Sequence, residues 1–171
     1  SENTVKERLN RVKLSLEDSS YFYPLVGFSW SSDTEWTLAK NLAKLNGPLL
    51  AKFILDVKDK CPETNIRIIA HSLGARVVLS ALDSLYKNAS RNTQNFKIAS
   101  VHFMGAAVDN EEVSTNPEDI LKDPTNWNTP KSDYGYAIDQ EVIKFYNLYS
   151  SNDNMLELNL LRPYPPYQVY P

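Results

Sequence analysis

Ile68-Ile69-Ala70-His71-Ser72-Leu73-Gly74-Ala75-Arg76-Val77-Val78-Leu79 is the stretch whose reading decides the fold. A short apolar strand over 65–71 stops at a serine, and a helix over 73–88 begins on the next residue. Leu73, Val77, Ala81 and Leu85 recur on one stripe of that helix. Ala70, Gly74 and Ala75 flank the serine with small side chains, as two backbones that approach closely require. A serine held on so tight a strand-to-helix turn projects from the end of a sheet. The competing reading is an ordinary junction, with Ser72 serving only as the helix N-cap.

Working outward, Val5, Leu9, Val12 and Leu16 mark a helix over 3–18, and 22–30 reads as a buried strand ending in the polar loop Ser31-Ser32-Asp33-Thr34. A long helical stretch over 34–60 carries an apolar stripe of Ala39, Leu42, Ala43, Leu50, Phe53, Ile54 and Val57. Gly47-Pro48 is expected to kink or split it, because Pro48 cannot donate its helical hydrogen bond. Downstream, Lys97 to Met104 reads as a strand followed by Gly105-Ala106-Ala107, and 109–133 as a long loop holding one helical turn at most. A short helix near 135–140 leads to a strand from Val142 to Tyr149. Strands alternating with helices imply α/β class: a three-layer α/β/α sandwich on a mostly parallel sheet of at least four strands. Residues 1–161 form one domain in this reading. The tail 162–171 carries four prolines, which favour polyproline II and align Tyr164, Tyr167 and Tyr170. That stripe suits docking on a partner; an extended connector lying on its own domain is the plainer alternative.

The chain has 171 residues, 42% hydrophobic and 23% charged, enough to bury a core. A net charge of −3 without a dense basic cluster disfavours nucleic acid. No apolar run reaches the roughly 20 residues of a transmembrane helix, and no signal-peptide pattern is present, so a cytoplasmic location is expected. The single cysteine, Cys61 beside Pro62, has no disulfide or metal-ligand partner at useful spacing, and no cofactor is implied.

Four segments together resemble the α/β-hydrolases, in the lipase and esterase branch: Gly27-Phe28-Ser29-Trp30, Ala70-His71-Ser72-Leu73-Gly74, Gly105-Ala106-Ala107-Val108, and Tyr146-Asn147-Leu148-Tyr149-Ser150 with Asp153. The second matches the G-x-S-x-G nucleophile elbow with Ala70 in the first glycine position. The resemblance implies a carboxylic-ester or lipid acyl hydrolase that works through a Ser72 acyl-enzyme. It gives Leu73 a backbone N–H in the oxyanion hole and Asp153 the acid that orients a histidine, with Asp109 as the alternative acid. A turn aspartate is the plain alternative for Asp153. Residues 110–134 fall where a cap is often inserted, and Trp127, Tyr134 and Tyr136 could line an acyl pocket; a surface loop is the alternative.

The resemblance also exposes gaps. The order serine, acid, histidine requires a late histidine, yet the chain has two, His71 and His102, both read as structural. No His-Gly oxyanion-loop signature precedes the elbow. In the resembling fold a further strand lies between 22–30 and 65–71. A further polypeptide segment is therefore expected to supply that strand and the base histidine. The rival expectation is a non-catalytic scaffold or interaction domain that keeps the elbow for packing.

Overall fold

A computed structural model describes residues 2–88, 95–108, 110–115 and 134–149. The chain divides into two compact units, Ser1–Ser31 and Ser32–Pro171.

The first unit holds helix α1, Glu2–Asp18. It closes in a turn in which the Ser20 N–H donates to Glu17 and the Tyr21 N–H to Leu16, with Ser20 at a left-handed φ of 61°. The chain then runs back along the helix, and Gly27 leaves room for Leu9: a Cβ there would lie 3.0 Å from Leu9 Cδ2. The expected strand at 22–30 is not formed, since no described residue makes a ladder with it. A strand exists only through a neighbour that takes its backbone groups, and Pro24 removes one donor in any case.

The second unit begins with α2, Trp36–Lys60. Its N-cap Glu35 accepts from the N–H groups of Thr37 and Leu38, satisfying two of the orphan donors of the first turn. Lys58 and Lys60 complement the helix dipole at the far end. Pro62 follows immediately and bars continuation. Contrary to expectation, Gly47-Pro48 does not split this helix. Pro48 leaves the Lys44 carbonyl without its helical donor, and the Ser80 hydroxyl, from the neighbouring helix, donates to it at 2.7 Å. Gly47 makes that approach possible, because a Cβ there would lie 2.3 Å from Ser80 Cβ. Gly47-Pro48 is thus a notch into which the next helix seats. Ala39, Ala43, Gly47 and Ala51, at four-residue steps, form the small-residue face buried there.

Strand β1, Arg67–His71, leads through Ser72 and Leu73 into α3, Gly74–Tyr86. Strand β2, Ser100–Met104, is followed by α4, Asn110–Val113; then come α5, Tyr134–Glu141, and β3, Phe145–Leu148. The three strands are parallel in the order β1-β2-β3, with Ala70, Phe103 and Asn147 in one cross-strand row. The described sheet therefore has three strands rather than the four or more expected. One face, through Ile68, Ala70, Val101, Phe103 and Phe145, packs on residues of α2, α3 and α5. The other face bears the rows Ile69-His102-Tyr146 and His71-Met104-Leu148. There Ile69, Met104, Tyr146 and Leu148 are exposed. Of the expected three layers, the described residues of this unit form two: a sheet and the helices on one side of it.

Helix α3 is buried almost all round, with Val77, Leu79, Ala81, Leu82 and Leu85 each at 1% exposure or less. It is wedged between α2, α5 and the sheet, so the stretch quoted above lies at the centre of this unit.

Candidate active site

Ser72 sits where the polypeptide leaves β1 for α3, at a left-handed φ of 53°. For a residue with a Cβ this costs about 1–2 kcal/mol, which the surroundings must over-determine. They do so through three backbone bonds. The Ser72 N–H donates to the Met104 carbonyl at 3.2 Å, continuing the β1–β2 ladder by one residue. The Ser72 carbonyl accepts from Ala75 at 3.1 Å and from Ala107 at 3.2 Å. The loop after β2 thereby grips the serine from the side, and the first turn of α3 grips it from ahead.

That loop is itself fixed. Gly105 adopts a positive φ of 52°, open to glycine at no steric cost, and its N–H donates to the Leu148 carbonyl at 2.9 Å. The three segments Ala70–Leu73, Gly105–Ala107 and Leu148 converge at the carboxyl ends of the three strands. This is the edge at which open parallel sheets bind ligands.

Leu73 occupies the N-cap of α3 in a helical conformation. The N–H groups of Ala75 and Arg76 donate to the Ser72 and Leu73 carbonyls, whereas among the described residues those of Leu73 and Gly74 enter none of the backbone bonds of the turn. A developing negative charge beside Ser72 would meet these donors and the positive end of the helix dipole. Likewise, no described side chain comes within hydrogen-bonding distance of the Ser72 hydroxyl, which is half-buried.

The two histidines lie elsewhere. His71 is exposed and, by alternation along β1, projects to the face bearing Met104 and Leu148. His102 stacks on Tyr146, with ring centroids 4.7 Å apart and planes 14° from parallel, and its Nε2 is 3.0 Å from the Ser100 hydroxyl. It makes no bond to Ser72.

A scan against family models matches residues 3–161 to one described as alpha/beta hydrolase of unknown function (DUF900). The chain belongs to this family. Comparison with curated proteins and with solved structures returned no match. Ser72 lies at a strand-to-helix junction of this α/β-hydrolase, between β1 and α3.

Other residues singled out from the sequence fall differently. Asp153, Asp109 and Trp127, like the tail 162–171, lie outside the described residues. Tyr134 is 3% exposed and belongs to the core under α3, so it does not line a pocket; Tyr136 is exposed. Among the described residues no helix is long and apolar enough to cross a membrane.

One feature of this α/β-hydrolase was not legible in the sequence. Arg76, one turn after Ser72, is 5% exposed and places Nη1 at 2.9 and 2.8 Å from the two carboxylate oxygens of Glu112 in α4. Lys44 of α2 adds its ammonium at 3.7 Å from the same carboxylate. The pair ties the chain beyond the Ala107 loop to the helix that follows Ser72. Its only sequence signal is a cation inside the apolar run Ala75-Arg76-Val77-Val78-Leu79, which a buried helix admits only with a counter-charge.

Proposed function

We propose that this α/β-hydrolase is a serine hydrolase acting on a carboxylic ester or a lipid-like acyl group through an acyl-enzyme on Ser72. The observation that carries the reading is the left-handed turn that sets Ser72 at the end of β1, directly before the N-terminus of α3. In this mechanism the Ser72 Oγ attacks the acyl carbonyl carbon while its proton passes to an imidazole. The negative charge on the carbonyl oxygen settles against the Leu73 N–H and a second donor. Collapse expels the alcohol, which takes the proton from the imidazolium, and water then releases the acid by the same two steps. Asp153 orients the imidazole, with Asp109 as the alternative.

The imidazole comes from a further polypeptide segment, because His71 and His102 face away from Ser72 or are engaged with Ser100 and Tyr146. The same segment brings a strand. Ile66 O and Ser72 N point toward β2, so by alternation the N–H and C=O groups of Arg67, Ile69 and His71 point to the other edge of β1. No described strand pairs with them. A parallel strand there would satisfy both it and β1, and its following loop would end beside Ser72 with the second oxyanion donor.

A fluorophosphonate probe tests the reading on protein that includes the completing segment. Covalent labelling of the wild type and none of Ser72→Ala is expected; an unlabelled wild type would leave the rival, a non-catalytic domain. The 171-residue chain by itself is expected to show no ester turnover above its Ser72→Ala background. In active protein, Asp153→Asn should lower kcat by about 10⁴-fold, the scale set by an orienting acid in a serine triad. If Asp109→Asn does so instead, the acid is Asp109.

A further inference from the structure

Helix α2 is apolar on two sides. One side, centred on Ala43 and Ile54, is buried. On the other, Leu38 is 45% exposed, Leu45 71%, Leu49 58% and Phe53 42%, with Leu42 half-buried between them. At 100° per residue these five fall within an arc of about 80°, roughly opposite the buried face. The proposed chemistry makes no use of them.

The spacing of the leucines identifies what fits. Leu38, Leu42, Leu45 and Leu49 follow steps of four, three and four residues, a heptad seam of two repeats. The series reads the same in both directions. Laid antiparallel on a copy of itself, the helix brings Leu38 against Leu49 of the second copy and Leu42 against Leu45, each layer occurring twice about the two-fold axis. The next layer outward in the same register sets Glu35 against Lys52 of the second copy. Both are exposed, Glu35 at the N-cap and Lys52 in a solvent-side pair with Asp56 at 2.7 Å. A parallel pairing would place Glu35 beside Glu35 and Lys52 beside Lys52, with like charges at both ends of the seam. Charge therefore selects the antiparallel arrangement.

We infer that α2 is a homodimerisation surface on which two copies of this chain pack antiparallel through Leu38, Leu42, Leu45 and Leu49. The interface is isologous and closed, as two-fold pairs are. Two heptads bury less than the roughly 1,200–2,000 Å² of a standard specific interface, so the dimer is weak and forms with concentration. It does not depend on the reading of Ser72, and its test does not use activity.

In an Ile69→Lys background, whose charge keeps the open edge of β1 from recruiting copies, sedimentation equilibrium should show the mass rising from one protomer toward two as the protein is concentrated. Leu45→Glu places a carboxylate in two central layers and should weaken association by about a hundred-fold or more, with an unchanged circular dichroism spectrum. Crosslinking fixes the direction, in a Cys61→Ser background because Cys61 is exposed. A mixture of Leu38→Cys and Leu49→Cys proteins should form a mixed disulfide. Leu38→Cys alone should not, since its two copies would sit roughly 16 Å apart along the axis at 1.5 Å per residue. A monomer at every concentration would overturn the inference and assign the stripe to another partner. A dimer indifferent to Leu45→Glu, or one that crosslinks Leu38→Cys to itself, would overturn it equally.

Discussion

Ser72 is worth following as a single residue because its backbone and its hydroxyl answer to different demands. Its φ of 53° is strain in any residue with a Cβ, so the position would be more stable as glycine. Ser72→Gly is expected to unfold at a higher denaturant midpoint than Ser72→Ala, by about 1 kcal/mol, while neither can carry an acyl group. Equal midpoints would mean that the turn relaxes in solution. This much of the site was legible in the sequence, because small residues around a serine between an apolar strand and an amphipathic helix admit few local geometries. The partners of the serine were not. Ala107 comes from a loop thirty-five positions on, and its bond to the Ser72 carbonyl depends on where β2 ends rather than on any local pattern.

Among the elements, α2 and α3 show where a local rule is overridden from outside. Pro48 withholds one helical donor, and a side chain of α3 replaces it. Ser80→Ala should therefore cost about 1–3 kcal/mol, the penalty of an unsatisfied part-buried carbonyl. The cost should shrink in a Pro48→Ala background, where the helix supplies its own donor; additive losses in that double-mutant cycle would refute the coupling. Gly47→Ala should be more damaging than an ordinary helix-interior alanine, because the added methyl group meets Ser80 backbone at 2.7 Å. A loss of about 1–3 kcal/mol by overpacking is expected in thermal or chemical unfolding. The Arg76–Glu112 pair belongs to this scale too: Glu112→Ala would leave a guanidinium in a site 5% exposed, at a cost of about 3 kcal/mol or more. The helices and the three strands were readable as elements because each rests on its own periodicity. The segment 22–30 was not, since an apolar run becomes a strand only by pairing.

For the molecule as a whole, the β1-β2-β3 order leaves β1 at one margin of the described sheet. Folds usually protect such a margin with lysine, proline or a bulge. This one offers Ile68-Ile69-Ala70 in regular pairing geometry, with Ile69 45% exposed. The consequence is colloidal rather than catalytic. Expressed by itself, the 171-residue chain should accumulate in insoluble, thioflavin-binding material formed by edge-to-edge recruitment of copies. Ile69→Lys should return much of it to the soluble fraction. A gatekeeping charge would thus do artificially what a neighbouring strand would do by covering that margin, and the yield of soluble protein becomes a direct readout of whether the margin is covered.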